Sequence, residues 1–169
     1  GAGVIRGPAR DEMFTAEKGS GAFMNNRRLR VAARRELHEA LVAYEIPNRG
    51  SKDLPLSRAE IGVLQGRVNG IRGMGSVALG LGYLAAGRVD ALVCRNIQSW
   101  DIAAGVLLVR EAGGFTADCD SEANPLETGN IAGGNADLLP LLKQALKDAG
   151  YSASEIDEVT ALLATTRLL

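Results

Sequence analysis

The feature that most constrains this fold is a regular alternation of helical and strand patterns that begins near residue 57. Stretches with helical apolar spacing alternate with short apolar runs of strand length, and glycines mark several of the ends. Helices are predicted over 57–68, 76–87, 102–112 and 136–150, and strands over 69–75, 89–94, 115–118 and 130–135. The last of these helices is predicted to be kinked, or to begin late, at Pro140. Such an alternation is typical of a mixed, layered α/β body.

The first 36 residues follow a different pattern, which predicts antiparallel β structure. Gly7-Pro8 marks a turn, and Asn25-Asn26 separates two short apolar runs. Asparagine tolerates the positive φ that a tight hairpin needs, so a hairpin is predicted at this pair. Residues 39–46 then have the composition of a buried strand. We therefore divide the chain into a β-hairpin unit over 1–36, a mixed α/β domain over 37–148 and an additional helix over 149–169.

The predicted additional helix has a start signal and one apolar side. Ser152 and Glu155 have the spacing of a capping box, in which each side chain satisfies a free backbone N–H of the first turn. Its apolar positions are Ile156, Val159, Leu162 and Leu163. Their spacing predicts docking on the domain or on a partner.

The composition excludes several classes of protein. The 169 residues are 46% hydrophobic with a formal net charge of −1, which argues against disorder and gives no general attraction to nucleic acid. No apolar run has the length of a membrane span and no secretory leader is recognisable. Cys94 and Cys119 show no metal-type or redox spacing, which suits a reducing compartment. We expect a soluble, cytoplasmic protein with neither a nucleic-acid nor a membrane partner.

Two strand-to-helix junctions are the candidate functional sites, because sites in layered sheets form where strands end and helices begin. In "GIRGMGS", Gly73 and Gly75 allow close approach of a ligand, and Ser76 begins a helix whose N–H groups favour an anion. In "CRNIQSWDIAAG", the strand over 89–94 leads to Asp101. A position that favours an anion, next to a carboxylate, indicates a cation that bridges the two negative groups. Mg²⁺ commonly bridges a carboxylate to a phosphate. A purely structural alternative stays open, in which Asp101 is a helix N-cap and Gly75-Ser76 is an ordinary turn and cap.

The remaining polar candidates have simpler explanations. His38 is expected on the surface and Trp100 as a packing residue over whatever lies beneath it. The acidic run 118–122 is typical of a solvated turn, although metal binding is an alternative. Cys94 is expected to be an inert buried thiol, since no general base is visible near it in the sequence. The arginines of the hairpin region are expected at a solvated edge rather than at a nucleic-acid interface; they are Arg27, Arg28, Arg30, Arg34 and Arg35.

Three motifs together resemble the inositol monophosphatase family. "SWDIAAGVLLVREAGG" resembles its carboxyl-terminal signature, W-D-x-A-A-G followed by an apolar stretch and E-A-G-G. "RDEMFTAEKGSGAFMNNRRLRV" is similar to the family hairpin D-E-x-F-x-A-E-x-G-x-G-A-F-x-N-G, and "GSVALGLGYLAAGRVDA" to its G-S/T-x-A-L helix. The motifs occur in family order over roughly 3–147, and 149–169 lies outside the resemblance.

The resemblance implies a fold, an activity and several site residues. The fold is the layered αβαβα sandwich of inositol monophosphatase and fructose-1,6-bisphosphatase, here its carboxyl-terminal part with the last hairpin of the N-terminal sheet. The implied activity is Mg²⁺-dependent hydrolysis of a small phosphate monoester, usually by a homodimer. The Asp of the W-D motif ligates a catalytic metal, which carries over to Asp101. The start of the G-S/T-x-A helix contacts the phosphate side of the substrate, which carries over to Gly75 and Ser76, with Val77 adjacent.

Two departures from the family pattern modify these expectations. The other metal ligands of the family, a Glu and a D-P-x-D-G-T cluster, lie upstream of its hairpin, and nothing in residues 1–169 matches them. We therefore expect the chain to be a carboxyl-terminal portion, inactive and weak in metal binding on its own. Inositol-hydrolysing members often carry a substrate-contacting Glu where this chain has Cys94 followed by Arg95. A thiol is a poorer acceptor than a carboxylate, and Arg95 would favour a second anionic group if it enters the pocket.

Several functions therefore stay open at this stage. The substrate is a small phosphorylated metabolite, with a nucleotide 3′-phosphate, fructose bisphosphate or histidinol phosphate as alternatives to inositol phosphate. The rival to an enzyme is a non-catalytic binding or assembly module that keeps the fold without the metal cluster.

Overall fold

The first sheet is antiparallel and is formed by the N-terminal part of the chain. The structure, a computed structural model, describes residues 1–7, 11–47 and 49–150. Four strands pair in sequence order, β1 (Ala2–Gly7), β2 (Glu12–Glu17), β3 (Gly21–Met24) and β4 (Arg27–Arg28). Asn25 and Asn26 form the turn between β3 and β4 with φ of 46° and 66°. These are the left-handed conformations of a tight hairpin turn, so the predicted hairpin is confirmed.

The second sheet is mixed and contains five strands. In chain order they are β5 (Leu41–Glu45), β6 (Gly70–Arg72), β7 (Ala91–Cys94), β8 (Phe115–Asp118) and β9 (Ile131–Gly134). The spatial order is β6-β5-β7-β9-β8. β5 is parallel to β6 and to β7, whereas β9 is antiparallel to β7 and β8. β5, β6, β7 and β8 therefore all end at the same edge of the sheet, which we call the carboxyl edge.

Helices cover both faces of the second sheet. They are α1 (Leu54–Gln65), α2 (Val77–Ala85), α3 (Ser99–Glu111), the short α4 (Pro125–Thr128) and α5 over 138–150. Strand alternation decides which side chains meet which layer. In β7, Leu92 and Cys94 join the cluster that contains α2, α3 and the first sheet, whereas Ala91 and Val93 join the cluster that contains α1 and α5. The layers are thus sheet, helices, sheet, helices, which confirms the predicted layered α/β class.

Small residues allow α2 and α3 to pack closely between the two sheets. A Cβ at Gly105 of α3 would lie 2.4 Å from Cδ1 and 2.6 Å from Cβ of Leu81 in α2. A Cβ at Gly82 of α2 would lie 3.3 Å from the Phe14 ring of β2. The glycines therefore set the distance between the two helices and between α2 and the first sheet.

The differences from the predicted elements are shifted helix ends and two short helices, α4 and a 3-10 helix over Leu37–Glu39. α1 begins at Leu54 rather than at residue 57, with Pro55 in its first turn, and α3 begins at Ser99 rather than at residue 102. Pro140 falls in the first turn of α5, where its missing N–H costs nothing, so the helix begins at 138, before the proline. α4 was not predicted. Residues 151–169, most of the additional helix expected over 149–169, lie outside the described part of the chain.

Candidate functional site at the carboxyl edge

Both candidate junctions lie at the carboxyl edge. α2 follows β6 and α3 follows β7, so both helices begin where these parallel strands end. Each then runs back toward the opposite edge, so α2 and α3 lie side by side in parallel with their N-termini together. The positive ends of two helix dipoles therefore point toward one region.

The corner before α2 is held by a carboxylate that the sequence did not single out. Gly75 has a φ of +72°, which a glycine adopts without strain. Glu45, at the end of β5, accepts hydrogen bonds from the backbone N–H groups of Met74 at 2.7 Å and of Gly75 at 3.1 Å. Ser76 is the N-cap of α2, and its Oγ accepts the N–H of Leu79 at 3.3 Å. The corner is thus fixed to the end of the neighbouring strand.

Glu45 also determines which N–H groups remain for a ligand. The Gly75 N–H is engaged, whereas the N–H groups of Ser76 and Val77 have no acceptor within the described residues. They are the first donors at the N-terminus of α2, where a negative group is stabilised. The backbone donors left for an anion at this corner are therefore those of Ser76 and Val77.

Asp101 lies in the first turn of α3 and is not the N-cap. The N-cap is Gln98, which makes no side-chain capping bond. The Asp101 carboxylate is exposed and has no partner among the described residues. Gly105, one turn later on the same side of α3, contacts Leu81, which is one turn after Val77 in α2. Asp101 and Val77 therefore occupy facing positions at the two helix starts.

Trp100 does not pack over the site as expected. Its side chain is 74% exposed, so the expectation of a packing residue is wrong. Ile102, two positions further along α3, is buried in the core. Residues two positions apart lie on roughly opposite sides of a helix, so Trp100 points away from the core. An exposed indole beside Asp101 leaves an apolar surface at the carboxyl edge.

Cys94 is buried beneath the same edge. It pairs in register with Glu45 across the parallel strands and its side chain is 1% exposed. Burial, reinforced by the nearby Glu45 charge, raises the pKa of Cys94 to about 12. The thiol is therefore protonated near neutral pH, which agrees with an inert cysteine rather than a nucleophile.

Arg95 is engaged by two carboxylates of the chain. Its guanidinium is 5% exposed and donates to Glu60 from Nε at 3.1 Å and to Asp120 from Nη1 at 2.6 Å. Burial alone lowers the pKa of Arg95, but the hydrogen bonds to Asp120 and Glu60 outweigh it and hold the pKa above its usual value. The buried Tyr44 hydroxyl also donates to Glu60. These contacts fix the loop that leads from β7 toward Asp101.

The acidic run 118–122 forms a turn at the carboxyl edge, as expected, but its first residue is buried. Asp118 Oδ1 accepts the N–H groups of Asp120 and Ser121 at 2.9 and 2.7 Å, and Oδ2 accepts the Thr128 hydroxyl at 2.6 Å. Burial opposes ionisation, but these hydrogen bonds lower the pKa of Asp118 below its usual value. Both carboxylate oxygens of Asp118 therefore already accept hydrogen bonds from neighbouring residues of the chain.

Within the described residues, no group of three or more His, Cys, Asp or Glu side chains lies close enough together to hold a metal ion. Asp101 suits Mg²⁺ in its chemistry, since it is an exposed carboxylate without a competing partner. The described residues therefore present fewer ligands than a Mg²⁺ site needs. His38 and the hairpin arginines 27, 28, 30, 34 and 35 are exposed, as expected.

The fold and this edge define a layered α/β chain with an anion-favouring helix start facing a carboxylate. A model of the inositol monophosphatase family matches residues 1–153. The chain belongs to the inositol monophosphatase family.

Relatives and solved structures agree with this assignment. An inositol-1-monophosphatase from Rhizobium meliloti is 44% identical over 144 residues, 85% of this chain and 54% of the relative. A protein named Nus factor SuhB from Pseudomonas aeruginosa is 42% identical over 134 residues, 78% of this chain and 49% of the relative. The crystal structure of the extragenic suppressor protein suhB from Bartonella henselae matches with a TM-score of 0.83 and 45% identity, covering 86% of this chain and 56% of that one.

The chain spans about half the length of these relatives. No helix in the described part of the chain has both the length and the apolar character needed to cross a membrane.

Proposed function

We propose that the protein is a Mg²⁺-dependent phosphomonoesterase that hydrolyses a small phosphorylated metabolite. The observation that supports this proposal is that α2 and α3 begin at the same edge of the sheet, with Gly105 against Leu81 one turn after Asp101 and Val77. An anion-favouring helix start and an unpaired carboxylate in facing positions suit a phosphate and a divalent cation that share a site.

Each predicted site residue has a role in this proposal. Asp101 holds the metal, and Ser76 and Val77 present N–H groups to the phosphate side of the substrate. Gly75 supplies the backbone turn that aims these groups, and Glu45 keeps that turn in place. Mg²⁺ bound at such a site polarises phosphoryl oxygens and lowers the pKa of water.

Cys94 and Arg95 stay predictions as substrate contacts. Cys94 would shape the floor of the pocket rather than accept a hydroxyl hydrogen bond, because its thiol is buried. Arg95 would reach an anionic group only by sharing or giving up its bonds to Glu60 and Asp120. Inositol phosphate is one candidate substrate; a nucleotide 3′-phosphate, fructose bisphosphate and histidinol phosphate are the others.

The complete metal site needs more carboxylates than the described residues of this chain bring together. A single carboxylate offsets little of the cost of dehydrating Mg²⁺. We therefore propose that residues 1–169 alone give no turnover, and that the activity belongs to the whole protein, as a cytoplasmic homodimer.

The test is a phosphatase assay of the whole protein against a panel of phosphate esters, with and without Mg²⁺. The proposal expects Mg²⁺-dependent release of phosphate from at least one ester. Asp101→Asn should lower kcat/KM by at least about a hundredfold with little change in thermal stability, because the side chain is exposed and unpartnered. Asp137→Asn is the matched control, since Asp137 follows β9 at the opposite edge. Full activity of Asp101→Asn would contradict the proposal.

A second candidate is a non-catalytic assembly module with the same fold. It is favoured by the relative named Nus factor SuhB, whose name describes no enzyme activity. The same assay distinguishes the two: absence of turnover by the whole protein on every ester, with Mg²⁺ present, would support the module and not the enzyme.

A further inference from the structure

The segment between β7 and α3, residues 95–98, determines where α3 begins and therefore where Asp101 lies. This β7–α3 segment leaves the carboxyl edge after Cys94 and reaches α3 in four residues. A second segment, residues 128–130, lies at the same edge, because Cys94 and Ile131 are register partners in β7 and β9. The two segments are therefore neighbours just beyond the ends of these strands.

Backbone N–H groups of the β7–α3 segment donate to the 128–130 segment. Arg95 is held by two carboxylates, as described above, and the next two residues are held by 128–130. The Ile97 N–H donates to the carbonyl of Gly129 at 3.0 Å, and the Asn96 N–H donates to Oδ1 of Asn130 at 3.1 Å. Asn96 has a φ of 56°, a left-handed conformation that asparagine adopts more readily than most residues. These bonds therefore hold the chain where it turns toward α3.

The contact between the two segments requires glycine at position 129. Gly129 has a φ of +74°, and a Cβ built on it would lie 2.4 Å from the carbonyl oxygen and 3.1 Å from the nitrogen of Ile97. Both are backbone atoms, so they cannot rotate away as the end of a side chain can. Any side chain at 129 would therefore displace the β7–α3 segment.

The 128–130 segment is itself anchored to the buried Asp118 at the end of β8. The Thr128 hydroxyl donates to Asp118 Oδ2 at 2.6 Å and accepts the Asn130 N–H at 3.2 Å. The Asn130 carbonyl accepts the N–H of Cys119 at 3.3 Å. Hydrogen bonds therefore connect the end of β8, through 128–130, to the β7–α3 segment.

We propose that Thr128, Gly129 and Asn130 are positioning residues, which act through the β7–α3 segment. They set the place of Asp101 relative to the start of α2, and this inference rests on the metal-binding role proposed above for Asp101. The Asp101 N–H donates at 3.0 Å to the carbonyl of Gln98, the last residue of the β7–α3 segment, so displacing that segment moves Asp101. Groups that orient metal ligands without being ligands themselves change metal affinity by about 10–100-fold when they are removed.

A pair of glycine-to-alanine substitutions in the whole protein tests this positioning. In Gly129→Ala, the Asn96 and Ile97 amides should exchange with deuterium at least about tenfold faster than in the wild type. The Mn²⁺ concentration that broadens the amide signals of 99–101 should rise by about tenfold or more. Gly113→Ala is the matched control, because Gly113 also has a positive φ, +85°, but its Cβ would have nothing within 4 Å among the described residues. The control should leave both measurements unchanged.

Two further pairs of variants remove single hydrogen bonds. Thr128→Val loses the hydroxyl and should raise the Mn²⁺ concentration needed, whereas Thr128→Ser keeps it and should restore the wild-type response. Asn130→Ala should also raise it. Asn124→Ala is its control, since Asn124 Oδ1 likewise accepts a backbone N–H, at 3.0 Å, but that of Leu126 within α4.

Two different results would contradict the inference. Equal Mn²⁺ responses of Gly129→Ala and Gly113→Ala, or of Thr128→Val and Thr128→Ser, would overturn the positioning role and leave the metal site of the wild type standing. A wild-type protein in which the 99–101 amides do not respond to Mn²⁺ would contradict the proposed function as well.

Discussion

Gly105 determines how closely α2 and α3 approach, and the substitution Gly105→Ala measures this directly. The new Cβ would lie 2.6 Å from Leu81 Cβ and 2.4 Å from its Cδ1. Carbon atoms pack at about 3.5–4.0 Å, and Leu81 Cβ cannot move without its backbone. The two helices must therefore separate by about 1 Å, which also separates Asp101 from Val77.

The expected stability change combines two opposing effects. Overpacking of a close contact costs about 1–3 kcal/mol, and the upper part of this range applies because Leu81 is fully buried. Replacing a helical glycine by alanine gains about 1 kcal/mol in helix propensity. We predict a net loss of about 1–2 kcal/mol in the free energy of unfolding, measured from the midpoint and slope of urea denaturation.

Gly62→Ala is the matched control within α1. A Cβ at Gly62 has nothing within 4 Å, so only the helix propensity changes and the variant should be about 0.5–1 kcal/mol more stable than the wild type. The two substitutions are chemically identical and should have opposite signs. A Gly105→Ala protein as stable as Gly62→Ala would refute the close approach of α2 and α3.

Three further predictions concern buried polar groups near the carboxyl edge. Arg95→Met should destabilise the protein by about 3–5 kcal/mol because it leaves Glu60 as a buried, uncompensated charge, and Glu60→Gln/Arg95→Met should recover part of this loss in the same denaturation assay. Asp118→Asn should cost about 1–3 kcal/mol. The folded pKa of Asp118 lies below the unfolded value of about 3.9. The stability that the ionised Asp118 carboxylate contributes is therefore present above that pH and is lost as the pH falls through the folded pKa. Asp118→Asn should accordingly lose less stability on acidification than the wild type. Cys94 should resist alkylation at pH 8 until the protein unfolds, as followed by mass spectrometry, and rapid labelling of the native protein would contradict its burial.

Local patterns in the sequence were sufficient for most elements of the fold. The Asn25-Asn26 pair predicts its hairpin because few residues adopt positive φ readily, and the alternation after residue 57 predicts the layers because each strand must bury both faces. Helix starts were less predictable. Asp101 resembles an N-cap in sequence, but the chain enters α3 earlier, at Ser99.

The candidate site was predictable only in part, because some of its contacts join distant parts of the chain. Glu45 meets Met74 and Gly75 through the parallel pairing of β5 and β6, which no local pattern reveals. The same applies to Arg95, whose partners Glu60 and Asp120 are 35 and 25 residues away. The available signal was a charged residue at the end of a buried strand for Glu45 and directly after one for Arg95.

The most direct test of the shared site is a Mn²⁺ titration of the isotopically labelled protein, followed through backbone amide signals. Mn²⁺ broadens nearby signals without requiring turnover. If Asp101 and the start of α2 share one cation site, the amides of Ser76 and Val77 should broaden together with those of 99–101, and Asp101→Asn, but not Asp137→Asn, should abolish the effect. Broadening that spares Ser76 and Val77, or that persists in Asp101→Asn, would contradict the account.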